Sequence, residues 1–207
     1  MLKKIILAAA VAVSAVFAQS SVNVGGHAAI GMGSIWGENT ENANWGFGFN
    51  AGVVAKMDLN STVAFVPGVQ VDYRGISNDQ GSVTQTLAFT YIELPLLLRI
   101  NATPSFAIDV GPSLAFNVGA SIKYSDNENS VSVDIPSKYV NSFEFGLIAG
   151  VSIAVTPKFD INVRAALGLT DMMDMKKMIV DEDDYGYVPE FGFKNMRFKV
   201  GATYWFM

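Results

Sequence analysis

Apolar and polar side chains alternate along eight separate segments of this chain, and this alternation limits the fold more than any other feature. In the second segment Trp45, Phe47, Phe49, Ala51 and Val53 alternate with Gly and Asn. Successive side chains of a β-strand point to opposite faces of the sheet, so a period of two predicts strands. Similar segments begin near positions 22, 63, 87, 106, 143, 161 and 196. The pattern predicts an all-β protein.

The connections between these segments are alternately short and long. Short turns are predicted at 58–61, 101–105 and 156–159, which carry the Asn, Pro and Ser residues that tight turns favour. Outer-membrane barrels have short turns in the periplasm and longer loops outside the cell. We therefore expect an eight-stranded antiparallel up-and-down transmembrane β-barrel with both termini in the periplasm. The long polar connections are residues 34–44, 75–85, 120–142 and 171–192.

The composition of the polar face distinguishes a membrane barrel from a soluble barrel of the lipocalin type, which is the alternative. A soluble barrel exposes its polar face to water, whereas a membrane barrel turns that face to a narrow lumen. Gly, Ala, Ser and Asn dominate the polar face here, and only 16% of all residues are charged. We therefore expect a place in the bacterial outer membrane, with lipid against the apolar face. Aromatic residues suited to interfacial girdles are Trp45, Tyr73, Phe106, Phe143, Tyr204 and Phe206.

The N-terminal residues 1–18 are predicted to be a cleaved signal peptide, which leaves residues 19–207 as the barrel domain. Lys3 and Lys4 precede an apolar run that is too short to span a bilayer, and the cleavage-like site Val16-Phe17-Ala18 follows. The chain has no cysteine, which excludes disulfides and thiolate metal sites. Its formal net charge of −5 argues against nucleic acid as a partner.

Charged residues on the polar face are sparse and of both signs. The interior of an eight-stranded barrel is just wide enough for side chains to fill it, and charges enclosed there need partners. We expect a structural salt-bridge network and no active site among them. The predicted lumen charges are Asp72, Arg74, Glu93, Arg99, Asp109, Glu144, Arg164 and Arg197.

Residues 91–100, YIELPLLLRI, carry a Tyr-x-Glu-x-Pro-Leu-Leu-x-basic strand that resembles the PorT-like outer-membrane β-barrel domain family. Two further stretches are similar to the same family: DVGPSLAF at 109–116 and RAALGLTDM at 164–172. The resemblance implies an outer-membrane barrel and, through the namesake of the family, a role accessory to protein secretion. It implies no catalytic residue and no cofactor.

The final strand is similar to the signal by which the outer-membrane barrel assembly machinery recognises its substrates. The matching residues are Lys199, Gly201, Tyr204 and Phe206, and they predict that this machinery is a partner. Such signals usually end on the aromatic residue, whereas this chain adds Met207.

Three other groups of residues contain side chains capable of catalysis or metal binding, and each has a simpler interpretation. His27 is the only histidine, and it lies on the polar face with no serine in phase nearby, so a hydrolase is not indicated. The four acids at 181–184 lack the spacing of a calcium loop and predict a solvated acidic loop. The methionines of 171–178 are predicted to cap the barrel rim. We expect no metal, no cofactor and no enzyme activity.

Three functions fit these observations to different degrees. The first is a structural or interaction protein that meets a protein partner through loops 120–142 and 171–192. The second is a small-solute channel, which needs a lumen without the predicted charge pairs. The third is a lipid-modifying enzyme, which needs a catalytic group facing lipid that the sequence does not offer.

Overall fold

The computed structural model describes residues 22–37, 44–80, 83–125, 130–173 and 193–206. These ranges contain nine strands and a 3₁₀ turn at Ser137–Tyr139. Within them, no helix has the length and apolar character needed to cross a membrane. The strands are β1 (Val22–Trp36), β2 (Gly46–Asp58), β3 (Val63–Gln80), β4 (Val83–Asn101), β5 (Phe106–Ser125), β6 (Ser130–Asp134), β7 (Phe143–Thr156), β8 (Phe159–Gly168) and β9 (Lys194–Trp205).

Eight of these strands close into an antiparallel barrel. Each pairs with the next in chain order, except that β5 pairs with β7, and β9 returns to β1. At the closure Ile30 lies opposite Val200, so the last strand has neighbours on both sides. The predicted eight-stranded up-and-down barrel is therefore confirmed, and β6 lies outside the ring as an additional strand on β5.

The two faces of the wall follow the alternation in the sequence. Ile30, Phe47, Val163 and Val200 point outward with 62%, 57%, 49% and 54% of their surface exposed. Between such positions, the inward side chains are mostly polar or small. The predicted girdle aromatics also lie on the outside: Trp45, Phe106, Phe143, Tyr204 and Phe206 are exposed, and Tyr73 is half-buried against Phe49.

Phe89 and Tyr91 share the phase of Glu93, a pattern that allows either inward side chains or a bulge at this place. The structure has both features. Both aromatic side chains are fully buried in the lumen. The pairing of β4 with β5 shifts between Thr90 and Tyr91, because Val118 is an extra residue on β5.

The short turns lie where they were predicted, between β2 and β3, β4 and β5, and β7 and β8. The long connections differ from the prediction. Residues 75–85 were predicted as a loop, but β3 and β4 pair continuously to Gln80 and Val83. Residues 120–142 were also predicted as a loop, but β5 continues to Ser125 and β6 follows. Many residues in these segments are polar because neither face of the strands is packed against lipid. The polar sequence therefore did not indicate strands there.

Strands β3, β4 and β5 are therefore longer than the wall requires. They have 18, 19 and 20 residues, whereas a strand crosses a bilayer in about 9–11. The excess lies entirely at the loop end: β7 pairs with β5 only to Phe116, and β2 pairs with β3 only to Arg74. The residues beyond these points form the extended sheet, which consists of 75–80, 83–90, 117–125 and 130–134.

Candidate functional site

The lumen is filled by side chains, and its middle is charged. Among the described residues, five carboxylates and five basic groups are buried there, so the enclosed formal charge is balanced. The buried acids are Asp72, Glu93, Asp109, Glu144 and Asp160, and the buried bases are Arg74, Arg99, Arg164, Arg197 and Lys199. All eight lumen charges expected from the sequence lie in this set.

Six of the ten form a loop-side cluster, centred on Asp72 of β3. Asp72 accepts from Arg197 and Lys199 of β9, which lie three strands away around the wall, and from Arg74 at 2.6 Å. Arg197 Nη2 also donates to Glu93 Oε1 at 2.8 Å. Arg74 Nη1 donates to Glu144 Oε2 at 2.8 Å. Three acids and three bases meet here, so the loop-side cluster is neutral by itself.

The other four charges form a turn-side cluster around Arg99. Its Nε and Nη2 donate to the two oxygens of Asp109 at 2.8 and 3.1 Å, the bidentate geometry that suits a guanidinium. Its Nη1 donates to Asp160 Oδ2 at 2.7 Å. Arg164 and Ser152 complete the shell of Asp109 at 2.9 and 2.7 Å. Two acids and two bases make this cluster neutral as well.

The stretch YIELPLLLRI connects the two clusters along one strand. Its inward residues are Tyr91, Glu93, Pro95, Leu97 and Arg99, and all five are buried. The ring of Tyr91 lies 3.9 Å from the guanidinium carbon of Arg74, within range of a cation–π contact. Glu93 belongs to the loop-side cluster and Arg99 to the turn-side cluster. The Tyr, Glu, Pro and basic positions of the motif are therefore lumen positions.

An apolar layer closes the lumen above the charges at the loop end. Phe89, Tyr91, Met172 and Met173 pack there with Val140 and Ile76. The described methionines of the segment 171–178 thus lie in the cap that was predicted for them, and residues 174–178 lie outside the described ranges. The acidic residues 181–184 and the greater part of loop 171–192 also lie outside the described residues.

His27 faces the lumen, as the alternation predicted. Its Nδ1 lies 3.0 Å from Thr203 Oγ1, and both residues are buried. In the ranges that the structure covers, no group of three or more His, Cys, Asp or Glu side chains is arranged to hold a metal ion.

The sequence reasoning missed two lumen charges. Asp160 was not singled out, although it shares a phase with Asn162 and Arg164 on β8. Lys199 was considered only as part of an assembly signal, although it follows Arg197 in the same phase. Extending the alternation of β8 back to its first residues would have found Asp160, and counting every charge on the polar face of β9 would have found Lys199.

The residues of the suspected assembly signal lie on both faces of β9. Lys199 and Gly201 face the lumen, where a Cβ on Gly201 would lie 2.6 Å from Ala29 Cβ. Tyr204 and Phe206 face outward at the turn end, 50% and 62% exposed, with their ring centroids 5.8 Å apart.

Comparison with known proteins agrees with the barrel architecture. A family model described as outer membrane protein beta-barrel domain matches residues 17–174. No curated protein sequence matches the chain. Among solved structures, Neisserial surface protein A (NspA) from Neisseria is similar, with a TM-score of 0.52 and 16% identity, over 90% of this chain and 98% of that one.

A second similar structure is Ail, the attachment invasion locus protein of Yersinia pestis, in complex with the heparin analogue sucrose octasulfate. It has a TM-score of 0.49 and 11% identity, over 89% of this chain and 99% of that one. At 16% identity, the likeness to NspA shows a shared fold alone. With the family match and the closed barrel together, the chain belongs to the outer membrane protein beta-barrel domain family, and its location is the bacterial outer membrane.

Proposed function

We propose that this outer-membrane barrel is a surface interaction protein, and that its extended sheet binds an extended segment of a partner protein. The observation that carries the proposal is the free edge of β6. All five residues of β6 are exposed, including Val131 at 59% and Val133 at 54%. Within the described ranges, β6 pairs with β5 alone.

An unpaired strand edge offers a row of N–H and C=O groups to which another chain can add a strand. Proteins commonly protect such edges with lysine or proline, and β6 contains neither. The extended sheet holds this edge away from the barrel, because residues 75–80 alone span roughly 20 Å at about 3.3 Å per residue. In outer-membrane barrels the loop end faces outward, where a partner is accessible. The proposed surface lies within the segment 120–142 that the sequence predicted for a partner, although this segment contains a strand and is not only a loop.

The charged lumen argues against the alternative of a small-solute channel. Ion pairs cross the lumen at two levels, and an apolar layer lies above them. A lipid-modifying enzyme is also not favoured, because His27 and Thr203 are enclosed in the lumen and do not face lipid. We infer a role without catalysis.

The finer resemblance to the PorT-like family, with a role accessory to protein secretion, stays a proposal. What supports it is the placement of its motif, whose Tyr91, Glu93 and Arg99 all contribute to the lumen clusters. An edge strand that binds an extended polypeptide is also compatible with handling of a secreted protein.

Photocrosslinking on intact cells tests the interaction. A crosslinking residue at Ser132 is expected to yield a protein adduct, and the double substitution Val131→Lys and Val133→Lys is expected to abolish it, because lysine on an edge strand opposes strand addition. Leu59→Lys is the control, since Leu59 is equally exposed at the opposite end of the barrel. Loss of the adduct in the control, or its persistence in the double variant, would contradict the proposal.

We also infer that the barrel assembly machinery recognises Tyr204 and Phe206 of the last strand. Both rings stay accessible on the outer face at the turn end. Phe206→Ala should slow assembly by the purified machinery, whereas Phe106→Ala should not, although Phe106 is also an exposed aromatic at that end. Equal slowing of assembly by both changes would count against recognition of the last strand. Outer-membrane lipid around the apolar wall is the remaining proposed partner.

A further inference from the structure

The turn end of the lumen holds a cavity that neither the interaction surface nor the loop-side cluster uses. Its volume is about 230 Å³, and its lining includes Lys56, Arg99, Asn101, Ser105, Asp160 and Trp205. In outer-membrane barrels this end faces the periplasm. We propose that it binds the carboxylate end of a short peptide.

The floor of the cavity is already neutral. Every nitrogen of the Arg99 guanidinium donates to Asp109, Asp160 or Ser152 at 2.7 to 3.1 Å. Asp160 Oδ2 also accepts from Trp205 Nε1 at 3.1 Å. These groups fix the shape of the floor and leave no cation there for a ligand.

Lys56 is the cation available to a ligand. It lies on the lumen face of β2, and its Nζ is 5.4 Å from the centroid of the Trp205 ring. Within the described part of the chain, no carboxylate lies within 4.0 Å of this ammonium group, unlike each of the five buried bases. The cavity lining therefore carries one positive charge that no described residue neutralises, and a monoanion is the matching ligand.

The lining also offers hydrogen-bond acceptors. Asp160 Oδ1 has no hydrogen-bond partner among the described residues, because both bonds to this carboxylate are on Oδ2. The side-chain amide of Asn101 and the hydroxyl of Ser105 also line the cavity. An N–H group on a ligand that pairs its anion with Lys56 can therefore donate to Asp160.

A peptide terminus carries both groups, an anionic carboxylate and amide N–H donors. Its carboxylate and its preceding amide N–H groups are separated by one or two Cα steps of about 3.8 Å each. A phosphate fits less well, since it carries more charge than one ammonium balances and offers no N–H to Asp160. Protein C-termini and cell-wall stem peptides share this chemistry, and their stereochemistry distinguishes them.

Calorimetric titration of the full refolded barrel in detergent micelles tests the site. The probes are N-acetyl-L-Ala-L-Ala, its D,D isomer and inorganic phosphate. Binding of either dipeptide is expected, and Lys56→Gln should weaken it on the order of tenfold, because a hydrogen bond to a charged group is lost. Lys158→Gln is the matched control: it removes the same charge from the same end, outside the cavity lining, and should leave the affinity unchanged.

Preference for the L,L isomer would identify protein C-termini as the source, and preference for the D,D isomer the cell wall. The site is overturned if neither dipeptide binds wild-type protein at tens of millimolar, or if Lys56→Gln and Lys158→Gln behave alike. Phosphate binding as tight as the dipeptide would overturn the carboxylate assignment. Each variant is first checked for folding by its heat-modifiable migration on gels.

Discussion

Arg74 Nη1 of β3 donates a 2.8 Å hydrogen bond to Glu144 Oε2 of β7, across the lumen between strands that are three apart in the wall. Asn195 of β9 donates to the same oxygen at 2.5 Å. One carboxylate thus joins three strands that do not neighbour one another. Such contacts close the lumen and fix the cross-section of the barrel.

Glu144→Gln removes this charge and should lower the free energy of unfolding by about 3 kcal/mol, because breaking a buried pair leaves the partner charge uncompensated. Arg74 keeps its ion pairs with Asp72 and Glu93, so we expect a loss of free energy at the lower end of the usual range for a broken buried pair. Urea unfolding in lipid vesicles measures the change. Asp58→Asn, at an exposed strand end, should change the free energy by less than about 0.5 kcal/mol. Similar losses in both variants would show that Glu144 is not part of a network that stabilises the fold.

Arg99→Met should destabilise the barrel strongly, because Asp160 then retains only Trp205. Adding Asp160→Leu should restore part of the loss, since Arg164 and Asp109 still form a neutral pair. A double-mutant cycle is expected to give a coupling of about 1–3 kcal/mol. A double variant less stable than Arg99→Met alone would contradict a turn-side cluster held by charge balance.

Gly52→Ala should reduce stability or assembly yield, because an added Cβ would lie 2.1 Å from the carbonyl oxygen of Val69 on the next strand. Overpacking of this kind costs about 1–3 kcal/mol. Gly119→Ala is the matched control and should fold normally, since an added Cβ at that position has no atom within 4 Å. The folded fraction on heat-modifiability gels compares the two. If both variants fold equally well, close approach of the strands is not the reason for glycine at position 52.

Val200→Arg should lower the unfolding free energy by about 2–4 kcal/mol, as arginine does on the lipid face near the middle of a bilayer. Val131→Arg should have little effect, although Val131 is as exposed, at 59% against 54%. The difference arises because Val131 lies on β6, beyond the membrane wall. Unfolding of both variants in the same vesicles provides the measurement. Equal losses of unfolding free energy would show that β6 does not lie beyond the membrane.

The sequence predicted the barrel wall well because each wall strand has chemically different faces. In β2, Phe47 and Phe49 point outward and Gly48 and Asn50 point inward. Only one register of this strand satisfies both faces. The same reasoning failed for residues 75–85, where polar residues predominate, and for β6, whose alternation Ser-Val-Ser-Val-Asp extends over only five residues. Nor could the sequence assign partners within the lumen: Asp72 is 125 residues away from Arg197 along the chain, and only the closure of the barrel brings them together.

The central claim is that paired charges and an apolar cap close the lumen. Conductance of the purified protein in planar bilayers tests it most directly, with insertion verified by protection of the barrel from protease in matched vesicles. We predict no discrete, stable openings, because Arg74, Glu144 and their partners span the lumen. Discrete, long-lived openings in the wild-type protein would contradict the account and favour a small-solute channel.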